Sequence, residues 1–379
     1  MTPLRTRILA IVALLILCLA APAAVGVGHA LAAPAARAER PSTDRPNIIF
    51  VLADDLSWDL VDYMPNVRRM QRDGVTFSNY VITNSLCCPS RASILTGTYP
   101  HNTGIYRNTG EDGGFLAFRA RGLERATFAT ALQAAGYRTA LLGKYLNQYN
   151  PATIRDARGR AYVPPGWTDW HVAGNGYPGY GYRITRNRRV VRRGYAARDY
   201  LTNVLRHTAA RFVRSAVAAR QPFLLMISTF APHTPATPAP RDARRFAGLT
   251  APRTPAYDEE DIGDKPSWLR RHPRLTREQQ ERIDALFRKR VRSVQAVDRT
   301  IGRLRAQLRR RGIARRTYVI FSSDNGFHMG HHRLSSGKLT AYDPDIRVPL
   351  IVVGPGVPAG RTVARIAENV DLCPTFVEL

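Results

Sequence analysis

Pro46-Asn47-Ile48-Ile49-Phe50-Val51-Leu52-Ala53-Asp54-Asp55 decides the fold class of this chain. An unbroken apolar run of this length, closed by two carboxylates, reads as a strand buried on both faces whose polar end emerges at a sheet edge. Three further runs repeat the pattern. Phe223 to Ser228 leads into Pro232-His233, Tyr318 to Phe321 into Ser322-Ser323-Asp324-Asn325-Gly326, and the weaker Tyr137 to Leu142 into Gly143-Lys144. In each, a titratable or oxygen-donor side chain stands just past the strand's C-terminal end, the edge where open α/β sheets bind ligands. Helical spacing separates the strands: Ala126 to Ala135 stops at Gly136, and Thr276 to Arg311 carries the apolar stripe Ile283, Leu286, Phe287, Val294, Val297, Ile301 and Leu304. That stripe predicts a helix packed on the core with a solvated Arg face. The class is therefore α/β, with a mixed, mostly parallel sheet flanked by helices. Two stretches, Asn150 to Arg198 (Gly, Pro and Tyr-rich) and Thr234 to Pro273 (Pro-rich), read as long surface segments of the kind used for binding loops or lids.

The first residues stand apart from the fold. Arg5 and Arg7 precede an apolar run from Ile8 to Ala21, and small-residue cleavage sites follow at Ala30-Leu31-Ala32 and Ala36-Arg37-Ala38. This predicts a secretory signal over 1–32, with cleavage as late as 38, a linker over 33–45, and a domain over 46–379. No later stretch approaches ~18 continuous apolar residues, so no membrane span is expected. Cys18 lies in the leader, and the remaining three of the four cysteines are too few for a disulfide scaffold. The net charge of +27 points to a polyanionic partner or to a coding bias toward Arg. Zinc-finger spacing, an RNP-like string and basic heptads are all missing, which argues against a specific nucleic-acid partner. Only four lysines occur, and two of them, Lys144 and Lys338, fall beside the motifs discussed here.

The chemistry concentrates in Cys87-Cys88-Pro89-Ser90-Arg91-Ala92-Ser93-Ile94-Leu95-Thr96-Gly97. A cysteine in such a place is a candidate nucleophile or half of a disulfide. Asp54, Asp55, Asp324 and Asn325 offer hard oxygen donors, a set that suits Ca²⁺ or Mg²⁺ better than zinc. One Asp-Asp pair after a strand is an ordinary turn or cap. Two such sets at strand ends, with Cys87 between them in sequence, form a candidate site.

The C-x-P-S-R string resembles the signature of type I sulfatases, with the alkaline-phosphatase/sulfatase-like fold. The resemblance implies that Cys87 is the precursor of formylglycine, made by a formylglycine-generating enzyme. It also implies that Asp54, Asp55, Cys87, Asp324 and Asn325 bind a divalent cation, usually calcium. Arg91 would stabilise the nucleophile, Lys144 and Lys338 would bind sulfate, and His233, in Ala231-Pro232-His233-Thr234-Pro235, would protonate the leaving alcohol. At most one of His328, His331 and His332 would face substrate. Many sulfatases read Gly-Lys-Trp-His where this chain has Gly143-Lys144-Tyr145-Leu146, so the base for sulfate release is open. The variant string, the doubled cysteine, Pro164 to Trp167 and Asp261 to Trp268 look like the N-acetylglucosamine-6-sulfatase branch. The implied function is a secreted hydrolase of sulfated sugars or glycosaminoglycans. The alternatives are a phosphodiesterase or phosphonate hydrolase of the same superfamily, or a non-catalytic binder of sulfated polyanions. Val370 to Thr375 resembles a late core helix of the family, so the resemblance leads one to expect a domain without the family's small C-terminal subdomain, either a truncated product or a minimal form. Cys88 and Cys373 remain a possible pair.

Overall fold

The computed structural model describes residues 45–379. The predicted leader, and the linker up to residue 44, lie outside them. Among the described residues no helix is long and apolar enough to cross a membrane.

Eight strands form the main sheet, in the order Arg361–Val363, Val75–Phe77, Leu350–Val353, Thr317–Ser323, Asn47–Ala53, Phe223–Ser228, Arg138–Gly143 and Asp169–Val172. The last five run parallel, while Leu350–Val353 is antiparallel to both of its neighbours. The sheet is thus mostly parallel, as the apolar runs predict, and mixed, as the family resemblance implies. Asn47–Ala53 lies at its centre, with Phe50 level with Met226 on one side and Ile320 on the other. Every residue of that strand is buried. Alternation of side chains explains why. Ile49, Val51 and Ala53 join one core with Ile283, Phe287 and Val294 of the long helix, and Ile48, Phe50 and Leu52 join a second core on the other face. There Phe50 meets Phe376 edge-on at 5.3 Å between ring centroids.

The two predicted helices form with short trims, as Phe128–Ala134 and Arg277–Arg310. Each is closed at its start by a capping box, Thr127 with Thr130 and Thr276 with Gln279, satisfying amides that the first turn would leave unpaired. Two expectations need correction. The stretch 150–198 is not only a surface segment: it supplies the edge strand Asp169–Val172 and a hairpin of Arg183–Arg186 with Arg189–Arg192. Four-residue strands are too short to show alternation against a background of Gly, Pro and Arg, and only pairing with Ala140 to Gly143 defines the edge strand. The Arg face of the long helix is likewise not wholly solvated, because Arg290 is completely buried. Cys88 and Cys373 are both free thiols.

Candidate active site

The parallel strands end together, and their last residues are tied to one another. Asp324 N–H donates to Ala53 O at 3.1 Å, and Asp55 N–H donates back to Asp324 Oδ1 at 3.0 Å. Lys144 N–H donates to Ser228 O at 2.8 Å. Gly143 permits that approach, since a Cβ there would stand 1.9 Å from Ser228 O and the backbone φ is +107°. Asp54, Asp55, Lys144, Asp324 and Asn325 are therefore placed by sheet register rather than by loop conformation.

Cys87 is the first residue of the helix Cys87–Thr96, which starts at this rim and ends at Gly97 in a left-handed cap. Its first turn turns backbone N–H groups, and the positive end of the helix dipole, toward the strand ends. Cys87 Sγ lies 3.4 Å from Asp54 Oδ1 and 3.8 Å from Asp55 Oδ1, and Lys338 Nζ donates to it at 2.8 Å. Lys338 also bonds Asp55 Oδ1 and lies 3.5 Å from Asn325 Oδ1. Lys144 Nζ bonds Asp54 Oδ2 at 2.7 Å, and Arg91 Nε bonds Asp324 Oδ2 at 2.7 Å. His233 donates Nδ1–H to Thr234 O at 2.7 Å, which leaves Nε2 facing Asp55 Oδ2 at 3.6 Å. All nine residues named from the sequence meet in one cluster.

Three carboxylates with no more than 1% exposure converge here, although Asp54 and Asp55 are adjacent like charges. Burial, together with Asp324 and Asp55, pushes Asp54 above the usual carboxylate range against the pull of Lys144. Burial acts on Asp55 in the same sense, but Lys338 and His233 overcome it and hold that group low. Burial also drives the Cys87 thiol up. Arg91, Lys144 and Lys338 likewise outweigh burial at Asp324 and hold it well below the usual carboxylate range, so two of the three carboxylates are kept ionised, as ligands of a divalent cation must be. One ligand atom each from Asp54, Asp55, Cys87 and His233 falls within 4.8 Å of the others. Hard oxygens dominate the wider set, which fits Ca²⁺ or Mg²⁺.

Leu146, at the position where many sulfatases carry a histidine, is 3% exposed and packs in the second core. Of the three later histidines, His328 is buried against Asp345 at 2.9 Å, while His332 bonds Glu259 and lies against the Tyr342 ring. Two site residues escaped sequence reading. Tyr177, from the 150–198 stretch, sits 4.4 Å ring to ring from His233, and Lys144 Nζ is 5.2 Å from its ring centroid. Arg290 donates to Asp55 O and lies 4.2 Å from the Phe327 ring centroid. Helical spacing carried a signal for Arg290, which falls between Phe287 and Val294 on the buried stripe. Nothing in the Tyr177 surroundings gave one.

Comparison with known proteins agrees with this geometry. The Sulfatase family profile matches residues 46–379. The chain is 35% identical over 346 residues to N-acetylglucosamine-6-sulfatase of Homo sapiens, covering 89% of this chain and 61% of that protein. It is 35% identical over 349 residues to the extracellular sulfatase SULF-1 homolog of Drosophila melanogaster, covering 88% of this chain and 30% of that one. This chain thus spans between about three tenths and three fifths of the length of these relatives. A solved protein in complex with its substrate D-glucosamine-2-N,6-O-disulfate superposes with a TM-score of 0.68 at 25% identity, over 88% of this chain and 76% of that one. A putative sulfatase from Bacteroides fragilis shares the fold, with a TM-score of 0.69 at 20% identity over 91% and 75% of the two chains. With residues 46–379 matched by the family profile and the Cys87 to Gly97 string seated at the strand ends, the chain belongs to the sulfatase family.

Proposed function

We propose that this protein hydrolyses sulfate esters of sugars, with 6-O-sulfated N-acetylglucosamine units as the preferred class. The observation that carries the reading is the seat of Cys87: its sulfur stands at a helix start, 2.8 Å from Lys338 Nζ and 3.4 Å from Asp54 Oδ1. Named relatives with glucosamine sulfates in their descriptions support the substrate class. Converted to formylglycine by a formylglycine-generating enzyme, residue 87 would supply a geminal-diol nucleophile, and a Ca²⁺ or Mg²⁺ ion held by Asp54, Asp55, Asp324 and Asn325 would polarise the sulfate.

The remaining work falls to fixed side chains. Lys144 and Lys338 place compact positive charge on either side of residue 87, suited to sulfate oxygens. Arg91, anchored on Asp324, holds that carboxylate in place and adds positive potential beneath residue 87. His233 presents Nε2 toward the site, with Nδ1 occupied by Thr234 O, so the proton it delivers to the departing alcohol oxygen leaves from one defined atom. Tyr177 walls that ring on one side. We also propose secretion, on the leader pattern of residues 1–32, and a catalytic domain over 46–379.

The test is to express the chain with a formylglycine-generating enzyme, to read the mass of the Cys87 peptide, and to assay sugar 6-sulfates beside aryl sulfate and aryl phosphate. Conversion at Cys87 with turnover of N-acetylglucosamine 6-sulfate above galactose 6-sulfate is expected. Faster cleavage of the phosphate ester would assign the protein to phosphoryl chemistry instead.

A further inference from the structure

Away from the cluster, the helices Leu201–Ala218 and Arg277–Arg310 pack side by side and leave a groove of about 500 Å³ between them. Helical spacing builds its two walls. Arg206 and Arg214 line one, and Arg303, Arg310 and Arg311 line the other. Between Arg206 and Arg214 stands only the small Ala210, whose carbonyl accepts a hydrogen bond from Gln307 Nε2 at 2.9 Å across the floor. The groove lies toward the edge of the sheet opposite the cluster, since Arg310 and Arg311 lead into the start of Thr317–Ser323, whose other end carries Asp324.

The charge of this groove is uncompensated. Arg299 and Arg305 of the same long helix pair with Asp242 and Asp73, but none of the five groove arginines makes a salt bridge among the described residues. Residues 200–241 hold no Asp or Glu, and residues 299–323 hold eight Arg and likewise no acid. A coding bias toward Arg raises charge everywhere; it does not clear acids from two segments that meet in one groove. Neighbouring groups register the resulting field. Burial lowers the proton affinity of Arg206, and Arg303, Arg299 and Arg241 lower it further. Burial, Arg206 and Arg211 act alike on His207, whose Nε2 accepts a hydrogen bond from Arg206 at 3.0 Å. Self-repulsion of this kind is relieved by a bound polyanion.

The dimensions and the lining narrow the partner. Along the helices ~12 Å separate Arg206 from Arg214 and ~10 Å separate Arg303 from Arg310. A single small anion cannot span those rows, whereas a chain that carries several anionic groups can. Guanidinium forks match the oxygens of such groups two at a time. Nucleic acid fits less well. No aromatic side chain lines the groove to stack on bases, and a recess between two helices offers no element to enter the groove of a duplex.

We propose that this groove is an anchoring site for a sulfated polysaccharide, held by Arg206, Arg214, Arg303, Arg310 and Arg311 away from the point of cleavage. The choice of a sulfated glycan as occupant rests on the sulfatase reading; the charge and shape of the groove do not.

The test titrates a size-defined heparin oligosaccharide into the full chain and into two triple variants that change net charge equally, with melting curves to confirm the fold. Arg214→Glu, Arg303→Glu and Arg310→Glu together alter the groove. Arg125→Glu, Arg158→Glu and Arg365→Glu together alter exposed arginines elsewhere on the surface. Heparin affinity should fall about tenfold or more in the groove variant and little in the other, and the slope of log affinity against log salt should fall by about two to three. Equal losses in both variants, or no loss in the groove variant, overturn the proposal. Single-stranded DNA that binds the wild type as tightly as heparin, and is lost from the groove variant to the same extent, overturns the glycan assignment in favour of nucleic acid. Groove-dependent heparin binding by a chain that turns over no sulfate ester upholds the anchoring site, and only the sulfatase reading then fails. If the charge reversals prevent folding, Arg214→Gln with Arg310→Gln removes charge while keeping polar side chains, and unchanged heparin affinity in that variant overturns the proposal equally.

Discussion

Arg290 donates a hydrogen bond from the middle of the 34-residue helix to the carbonyl oxygen of Asp55, across the interval between the helix layer and the centre of the sheet. Asp55 needs such a clamp. Its φ is +63°, a conformation in which a residue with a Cβ is uncommon, and its carboxylate belongs to the proposed cation site. The guanidinium is fully buried, with no carboxylate at salt-bridge distance among the described residues, and burial lowers its affinity for the proton. A charge kept in that position serves the geometry of Asp55 rather than a local ion pair.

Arg290→Met should destabilise the fold by about 1–3 kcal/mol, because Asp55 O is left buried and unpaired. Bound metal should fall with it. Thermal melts beside elemental analysis check both, and a variant that keeps its full complement of divalent cation would show that Asp55 holds its conformation unaided.

Cys87→Ala should abolish sulfate-ester turnover, on the order of 10³-fold or more, with the melting temperature almost unchanged. Cys87→Ser should be severely impaired over multiple turnovers, since a single hydroxyl has no second one with which to expel sulfate. Single-turnover and steady-state assays separate the two, and steady turnover by the Ser variant at the wild-type rate would rule out the diol chemistry.

Chelation should reduce activity and melting temperature together, and added Ca²⁺ or Mg²⁺ should restore both. A cation at about 100 times its Kd contributes about 2.7 kcal/mol to stability. Calorimetry with and without chelator measures the loss. Indifference to exhaustive chelation would leave the three buried carboxylates balanced by Lys144, Lys338 and Arg91 alone.

Tyr177 packs its ring on His233, and the same ring lies 5.2 Å from Lys144 Nζ, so losing the ring should cost more than losing the hydroxyl alone. Tyr177→Phe should retain most activity, while Tyr177→Ala should lower kcat on sugar sulfates more than on nitrophenyl sulfate, whose leaving group needs less protonation. Equal losses on both substrates would tie Tyr177 to folding of the 150–198 stretch instead.

His171, on the edge strand, is pushed down to about 4 by burial, with Arg211 and Arg186 adding to the shift against Asp169. Its unfolded value is the ordinary one near 6.5, so between about 6.5 and 4 the unfolded chain binds the extra proton. The neutral ring therefore contributes stability above that window, and the contribution is lost as the pH falls through it, up to about 3 kcal/mol. Urea melts across this range should show a shallower decline in His171→Gln than in wild type.

What the sequence determined by itself was periodic or dense. The apolar runs at Asn47 to Ala53 and Phe223 to Ser228 specified buried parallel strands, because a strand covered on both faces has no polar positions to hide. The Cys87 to Gly97 string and the donors at strand ends specified the cluster, because register alone carries Asp54, Lys144 and Asp324 to one rim. Tertiary structure decided the rest. Tyr177 reaches His233 only because the loop from the Asp169–Val172 strand folds back over the rim. Leu146 turns into the core, although its neighbour Lys144 turns into the site. Arg290 lies on an apolar stripe, where its charge masked it, and its partner is a backbone carbonyl 235 positions away. Contacts of that kind join atoms that share no local pattern, so no window of sequence contains them.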